Sequence, residues 1–409
     1  MRIAIVGTGV SGLVAAYLLD RRHEVTVFEA GSHVGGHVRT IDVELEDGHW
    51  AVDTGFIVYN EMNYPHFTRL LDQLGVATQP STMSFSVRSD EAGLEYNGST
   101  VRQLFAQRRN VLRPSFYRML LDVVRFNRAA PAAVRNGAAH ATLGEYVAAA
   151  GYSTPFVDHY LLPMGSAIWS VPRSRVLDMP AVFFVRFFEH HGMLTIDDRP
   201  QWRVVVGGSR RYVDELTAGF RDRIRLRHAV QRVRRLADAV EVDGERFDHV
   251  VLACHSDQAL AMLADPTPRE REILGAIPYE ANRVVLHTDT SILPRSRTAW
   301  AAWNYRVVGP ADRPAAVTYN MNMLQSLLAP RTFCITLNYD EDIDPATVLY
   351  ETWYHHPLYT AAAMAAQQRH GEISGIRRTH YAGAYWGNGF HEDGVNSALA
   401  VCRTFGETL

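Results

Sequence analysis

Gly7, Gly9 and Gly12 stand at the spacing G-x-G-x-x-G, directly after the β-favouring run Ile3-Ala4-Ile5-Val6 and ahead of Leu13 to Leu19, which has helical period. Strand, glycine turn and helix in that order make a phosphate cradle. The first glycine permits the tight turn, the second lets a pyrophosphate approach the backbone, and the third lets helix and strand pack closely. The helix amino terminus at Val10 and Ser11 would add free N–H groups and a partial positive charge. Glu24 to Phe28 reads as the next strand, closed by Glu29-Ala30. The Glu29 carboxylate is placed to accept hydrogen bonds from a ribose diol and would repel a 2′-phosphate. These elements predict a site for NAD or FAD, with NADP disfavoured.

A second candidate cluster is His391-Glu392-Asp393, inside the run His380 to Val395 that precedes a helix predicted from Asn396. Two readings of it stay open. His391 is a candidate base with Glu392 or Asp393 as its orienter, or the triplet caps the helix through Asp393 and orders the loop.

The 409 residues include no lysine, so all 41 basic side chains are arginine. Schiff-base catalysis, pyridoxal phosphate attachment and a Walker-type phosphate lysine are thereby excluded. With 44 acidic residues the net charge is −3, and no global field points to nucleic acid. Cys254, Cys334 and Cys402 are few, odd in number and far apart, so neither a disulfide framework nor a metal site is expected and a reducing, cytoplasmic compartment is. Ile3 to Leu19 is free of charge, but its three glycines and the Asp20-Arg21-Arg22-His23 that follows set it apart from a signal peptide or membrane segment. The mature chain is expected to begin at Met1.

After Glu29 come Gly35-Gly36-His37-Val38-Arg39-Thr40 and Val52-Asp53-Thr54-Gly55-Phe56. With them the sequence resembles the amine-oxidase-like FAD-dependent oxidoreductase superfamily, which includes monoamine and polyamine oxidases, protoporphyrinogen oxidase and phytoene desaturases. The resemblance implies FAD rather than NAD, with Gly35, Gly36 and Arg39 bringing backbone against pyrophosphate and flavin and Thr54-Gly55-Phe56 joining the site. His37 stands where the superfamily more often has arginine. The resemblance also implies an adenine contact at Val230 and a ribityl-phosphate contact at Gly383. It further implies a helix beginning at Gly394-Val395, whose N–H groups would stabilise negative charge at the flavin N1/O2 edge. No cysteine falls in the run His380 to Val395, so non-covalent FAD is expected. The lysine that holds a water near flavin N5 in the superfamily's amine oxidases has no counterpart in this chain.

The implied fold is α/β: a Rossmann-type FAD-binding domain of the monoamine oxidase/phytoene desaturase kind, with an interleaved α+β substrate domain. FAD-binding segments are expected at 1–57, 202–256 and 370–409, with a mainly helical substrate part at 58–201 and an antiparallel-sheet part at 257–369. Helical patterning is clearest in Arg69 to Leu74, Pro114 to Arg128 and Leu143 to Ala150. Alternation predicts strands in Asn282 to Thr288, Thr298 to Tyr305, Ala316 to Asn320 and Thr332 to Asn338. Trp202 to Val206 and Val230 to Val233 read as strands of the second FAD segment.

Ala302-Trp303-Asn304-Tyr305, Val317 to Gln325, His356-Pro357 and Gly389 to Gly394, with Asp53 to Asn60, resemble a narrower branch. Its members are flavoproteins associated with cyclopropane fatty-acyl-phospholipid synthases. That resemblance implies a desaturase-like oxidation or reduction of an unsaturated or methyl-branched fatty-acyl chain, and a lipid methyltransferase as partner. The alternatives are a flavin amine oxidase for a small polar substrate, or a non-catalytic partner of the methyltransferase. Hydride removal from a hydrocarbon needs an apolar tunnel, for which Phe183 to Phe188, Trp169, Trp300, Trp303 and Tyr305 are candidate liners; core packing is the competing reading for each. Arg102 to Arg135 holds eight arginines against the single acid Asp122, interleaved with apolar residues. This stretch is either a contact with the inner membrane face or a solvated helix face.

Overall fold

In the computed structural model, which describes residues 1–135, 141–195, 200–339 and 341–409, three distant pieces of chain build one parallel sheet. Its strand order is Ile224–Arg225, Glu24–Phe28, Arg2–Val6, His249–Leu252 and Thr379–Tyr381, with Ile3 level with Val25 and His249. One face buries Ile3, Ile5, Val25, Val27 and Val251 under the helices Val10–Leu19 and His391–Arg403. The other buries Ala4, Val6, Phe28, Val250 and Leu252 against a small antiparallel sheet, Val233–Arg235, Val240–Val242 and Glu245–Phe247. Covering on both faces is what the nearly unbroken apolar strands require.

The substrate lobe rests on a seven-stranded sheet in the order Val348–Pro357, Tyr279–His287, Cys334–Leu337, Val317–Asn320, Trp303–Val307, Phe85–Ser89, Leu94–Asn97. It is mixed rather than antiparallel throughout, because Phe85–Ser89 runs parallel to Trp303–Val307. The segment 58–201 is therefore less purely helical than expected. It lends two strands to this sheet, and Tyr59–Asn60 and Thr78–Pro80 flank Trp202–Val205 in a separate three-stranded sheet. Trp202–Val205 thus ties the substrate lobe together and does not enter the nucleotide sheet. The strand expected from Thr298 starts at Trp303, since Arg297–Ala299 closes into a 3₁₀ turn.

The expected helices form with clear end signals. Pro65–Leu74 stops at Gly75, which sits in the left-handed region at φ 66. Leu143–Ala149 opens on a reciprocal cap: Glu145 N–H donates to Thr142 Oγ1 at 3.1 Å and Thr142 N–H to Glu145 Oε2 at 2.8 Å. Pro114–Arg135 runs on past Arg128, with Pro131 inside it. No helix of the described residues is long and apolar enough to cross a membrane.

Asp53 joins the lobes. Its buried carboxylate accepts from Thr40 Oγ1 at 2.6 Å, Ser209 N–H at 2.9 Å and Gln325 Nε2 at 3.2 Å, drawing together a hairpin, the second nucleotide segment and the substrate sheet. Burial outweighs these donors and pushes its pKa up to about 6.

Candidate active site

The amino-terminal turn is built from backbone in contact with backbone. Gly7 has φ +106 and donates to Phe28 O at 2.8 Å; a Cβ on Gly12 would lie 2.0 Å from Gly7 O, and one on Gly36 would lie 2.9 Å from Gly9 Cα. Only glycine fits at Gly12 and Gly36. Helix Val10–Leu19 begins at Gly9 with no side-chain cap, so its first N–H groups, at Val10, Ser11 and Gly12, have no intrahelical acceptor. Glu29 braces the turn, accepting from Thr8 N–H at 3.0 Å and Gly31 N–H at 2.7 Å as well as from the Thr8 hydroxyl, beside the exposed Ala30.

Gly35 and His37 lead the chain back under this turn. A Cβ on Gly55 would lie 1.9 Å from His37 O, to which Phe56 N–H donates at 2.9 Å, while Thr54 N–H donates to Arg39 O at 2.8 Å. Gly383 donates its N–H to Ser397 Oγ at 3.0 Å on the same side. FAD fits this cradle on an observation independent of the motif: Arg39 Nε is buried with no hydrogen-bond partner, and its guanidinium lies over the Tyr350 ring at 5.9 Å with no carboxylate paired to it among the described residues.

Three expectations about the cradle need correction. Val230 is not in a strand; it lies in the loop before Val233–Arg235, packed with Val6 and Phe28, because the chain is still running alongside Glu29 through the His228 N–H bond to Glu29 O. The carboxy-terminal helix begins at His391, not at Gly394-Val395, because Gly394 N–H already donates to Phe390 O at 3.1 Å. The N–H groups without intrahelical acceptors belong to His391, Glu392 and Asp393. A Cβ on Gly394 would lie 2.5 Å from Val10 Cγ1, so this glycine serves the close crossing of two helix amino termini, beside the buried Val395.

The third correction concerns the triplet. Neither Glu392 nor Asp393 orients His391. Glu392 points to the neighbouring helix, accepting from His66 N–H at 3.1 Å and Phe67 N–H at 2.9 Å, and so caps Pro65–Leu74. Asp393 turns back on its own helix, accepting from Phe390 N–H at 2.9 Å, and burial raises its pKa to about 6. The partner of His391 is Tyr212, whose Oη lies 2.9 Å from Nε2, and the ring stacks on Phe56 at 3.4 Å between centroids. Burial pushes His391 down to about 3. An imidazole held neutral that far into acid is a weak proton acceptor.

Beyond these residues opens a cavity of about 510 Å³. Thr54 to Phe56 and Asn388 to His391 line it, brought together by the Phe56–His391 stack, with Met164, Trp169, Phe187, Trp303, Tyr319 and Tyr359 among its other walls. Of the tunnel residues expected from sequence, Trp169, Phe187 and Trp303 line it. Phe183, Phe184, Phe188 and Tyr305 are core, Trp300 lines a separate depression, and Arg186 is exposed. Sequence reasoning missed His191, Tyr354, Tyr359 and Tyr212. Tyr354 and His356 share one face of their strand, so the period-2 spacing was the available signal.

No Asp, Glu or Arg lines the cavity among the described residues, and the chain has no lysine. Its four histidines are held neutral. Burial brings His191 and His356 down to about 4, and His37 lies well below its ordinary range through burial and then the neighbouring His356 and His255. Replacing the superfamily's arginine by His37 thus removes a fixed charge. No group of His, Cys, Asp and Glu able to hold a metal occurs among the described residues.

Comparison with known proteins agrees with this cradle. A profile of the family described as flavin containing amine oxidoreductase matches residues 10–297. Protoporphyrinogen oxidase 2 of Arabidopsis thaliana is 46% identical over 77 residues, which is 18% of this chain and only 14% of that protein. Among solved structures, cyclohexylamine oxidase from Brevibacterium oxydans IH-35A superposes with TM-score 0.70 at 18% identity, covering 99% of both chains. A CLA-producing fatty acid isomerase from P. acnes superposes with TM-score 0.70 at 16% identity, covering 99% of this chain and 98% of the other. At these identities the likeness to the solved structures is one of fold.

Proposed function

The chain belongs to the flavin containing amine oxidoreductase family and is an FAD-dependent oxidoreductase; from that premise we propose that it acts on a neutral hydrocarbon, an unsaturated or methyl-branched fatty-acyl chain of a phospholipid. The observation that carries this reading is the absence of any ionised side chain from the described cavity wall. Among the described lining residues an ammonium finds no carboxylate and the carboxylate of an amino acid finds no arginine, whereas an alkyl chain loses nothing on leaving water.

Bound FAD supplies a two-electron hydride acceptor or donor at flavin N5. The chain's own residues supply the surroundings. Met164, Trp169, Phe187 and Trp303 exclude water and align an extended chain. Phe56 and Tyr212 hold the His391 ring still in the cavity wall beside Thr54 to Phe56. The imidazoles of the described wall are neutral but weakly basic, which favours a reaction in which hydride departure leads and the accompanying proton then passes to one of these rings over a reaction that starts by pulling off a proton.

A flavin amine oxidase is the second reading, favoured by the family profile and by the fold of cyclohexylamine oxidase. Such a substrate would have to enter in its uncharged form. Anaerobic mixing of the purified holoprotein separates the two: bleaching of the flavin absorbance by unsaturated phospholipid, and not by alkylamines, is the expected result. Bleaching by alkylamines alone, steeper at high pH, would replace the lipid reading with the amine one.

A further inference from the structure

The segment Ser99 to Leu121 contains five arginines and no acid. It folds as the short helix Val101–Leu104, the 3₁₀ turn Arg108–Leu112 and the start of helix Pro114–Arg135. Of the thirteen large hydrophobic side chains that the described residues leave exposed, five lie in it: Leu112 at 86%, Val101 at 73%, Leu121 at 68%, Val111 at 50% and Tyr117 at 43%. They belong to one surface. Phe105, one turn after Val101, packs its ring 6.1 Å from that of Tyr117; Tyr117 Oη donates to Val111 O; and Leu121 follows Tyr117 by one helical turn.

Of the five arginines around this ridge, only Arg118 is matched by a carboxylate among the described residues. Arg109 and Arg113 donate to the carbonyls of Gly93 and Ala92, and neither Arg102 nor Arg108 has an ion pair or hydrogen bond among the described residues. Asp122 lies buried beneath, taken up by Ser153 N–H and by Arg118 and Arg125. Beside Val101, Arg102 and Arg297, which has no ion pair among the described residues and lies over the Trp300 ring at 5.3 Å, line an open depression with Thr298, Asn322 and Thr332. Solitary exposed leucines need no explanation, but an apolar ridge rimmed by unpaired cations does.

We propose that this ridge is a docking surface for an anionic phospholipid bilayer: Leu112, Val111, Val101 and Leu121 enter the acyl boundary while Arg102, Arg108 and Arg297 hold headgroup phosphates. The match is one of charge and shape, an arginine-rich rim around an apolar edge against an anionic interface. The ridge lies one layer from the cavity. Phe116, under it, packs on Tyr96 at 5.6 Å, and Tyr96 Oη donates to the carbonyl of His159, the neighbour of the cavity residue Tyr160. The inference gives the lipid reading of the active site its source of substrate and rests on that reading for its purpose only.

The test uses the full-length holoprotein and no turnover, so it fails or succeeds apart from the substrate assignment. Flotation with phosphatidylcholine vesicles is compared with flotation on vesicles that also carry phosphatidylglycerol. Binding to the second alone, weakened by salt, is expected. Leu112→Asp with Leu121→Asp should lower partitioning about tenfold or more, and Arg102→Gln or Arg297→Gln about fivefold each, with flavin content and melting temperature unchanged. Equal binding to neutral vesicles, or vesicle binding indifferent to all these substitutions, overturns the proposal. So does inorganic phosphate binding at Arg102 and Arg297 without vesicle affinity, and so does self-association that Leu112→Asp abolishes, which would make the ridge a protein interface.

Discussion

The nucleotide cradle and the substrate cavity meet at Thr54 to Phe56, yet they are made of opposite materials. The cradle is backbone packed on backbone, with hypothetical Cβ atoms at Gly12 and Gly55 falling within 2.0 Å of carbonyl oxygens. The cavity is mostly side chains, drawn from His37 to His391 and from both lobes. A wall of side chains can be reshaped one residue at a time while its neighbours adjust. A wall of backbone has no such freedom, so the cofactor site is fixed and the substrate site is adaptable.

The sharpest attempt to break that contrast is Gly12→Ala. Its methyl collides with Gly7 O, so the helix and strand must separate; we expect loss of bound flavin and a destabilisation above about 3 kcal/mol, read by absorbance and thermal melting. A variant that keeps its flavin and its melting temperature would erase the distinction.

The next effect belongs to the cavity. His391, His191 and His356, at about 3, 4 and 4, lie below the ordinary histidine value, so between those values and about 6.5 the unfolded chain binds more protons than the folded one. Stability from them is complete above about 6.5 and is lost as pH falls, on the order of 3 kcal/mol for each fully titrated ring. Asp53 and Asp393, raised to about 6, act in the opposite sense over a narrower span. Melting temperature should therefore drop between neutral pH and about pH 4. A flat profile would mean that water reaches these rings.

Glu392→Gln is expected to cost about 1–2 kcal/mol through the weakened cap on Pro65–Leu74, with flavin retained. If turnover fell while stability held, the carboxylate would regain the catalytic role that its position argues against. The smallest change is Ile168→Val on the cavity wall, expected to cost less than about 1.5 kcal/mol and to leave the flavin spectrum untouched while shifting preference among acyl chains. A loss of flavin there would show that the two regions are not independent.

What was legible in the sequence follows the same division. Gly7, Gly9, Gly12 and Glu29 lie within one strand–helix–strand unit, so their conformations and contacts are set by near neighbours, and the strands expected at Ile3 to Val6 and Glu24 to Phe28 pair side by side in the parallel sheet, whereas its edge strand Ile224–Arg225 carries no such signal. The family resemblance pointed to Gly35, Gly36 and Gly383 as further candidates. The helix starts at His391, three residues before the glycine that marks its expected beginning, because Asp393 reaches back to accept from Phe390 N–H. Trp202–Val205 was placed with the nucleotide strands, although its pairing partners, Tyr59–Asn60 and Thr78–Pro80, lie more than a hundred residues away.

By itself the sequence determined that backbone would close around a dinucleotide, that no lysine could take part, and that apolar and aromatic residues were plentiful enough to enclose a hydrocarbon. Only the tertiary structure decided that His391 answers to Tyr212 instead of Glu392, and that every histidine around the cavity is neutral. It also decided which of the many aromatics face the cavity and which are core. The physical reason is range: a glycine's allowed backbone angles are a property of the residue and its immediate neighbours, whereas desolvation and hydrogen-bond partnership depend on what the rest of the chain brings to the spot.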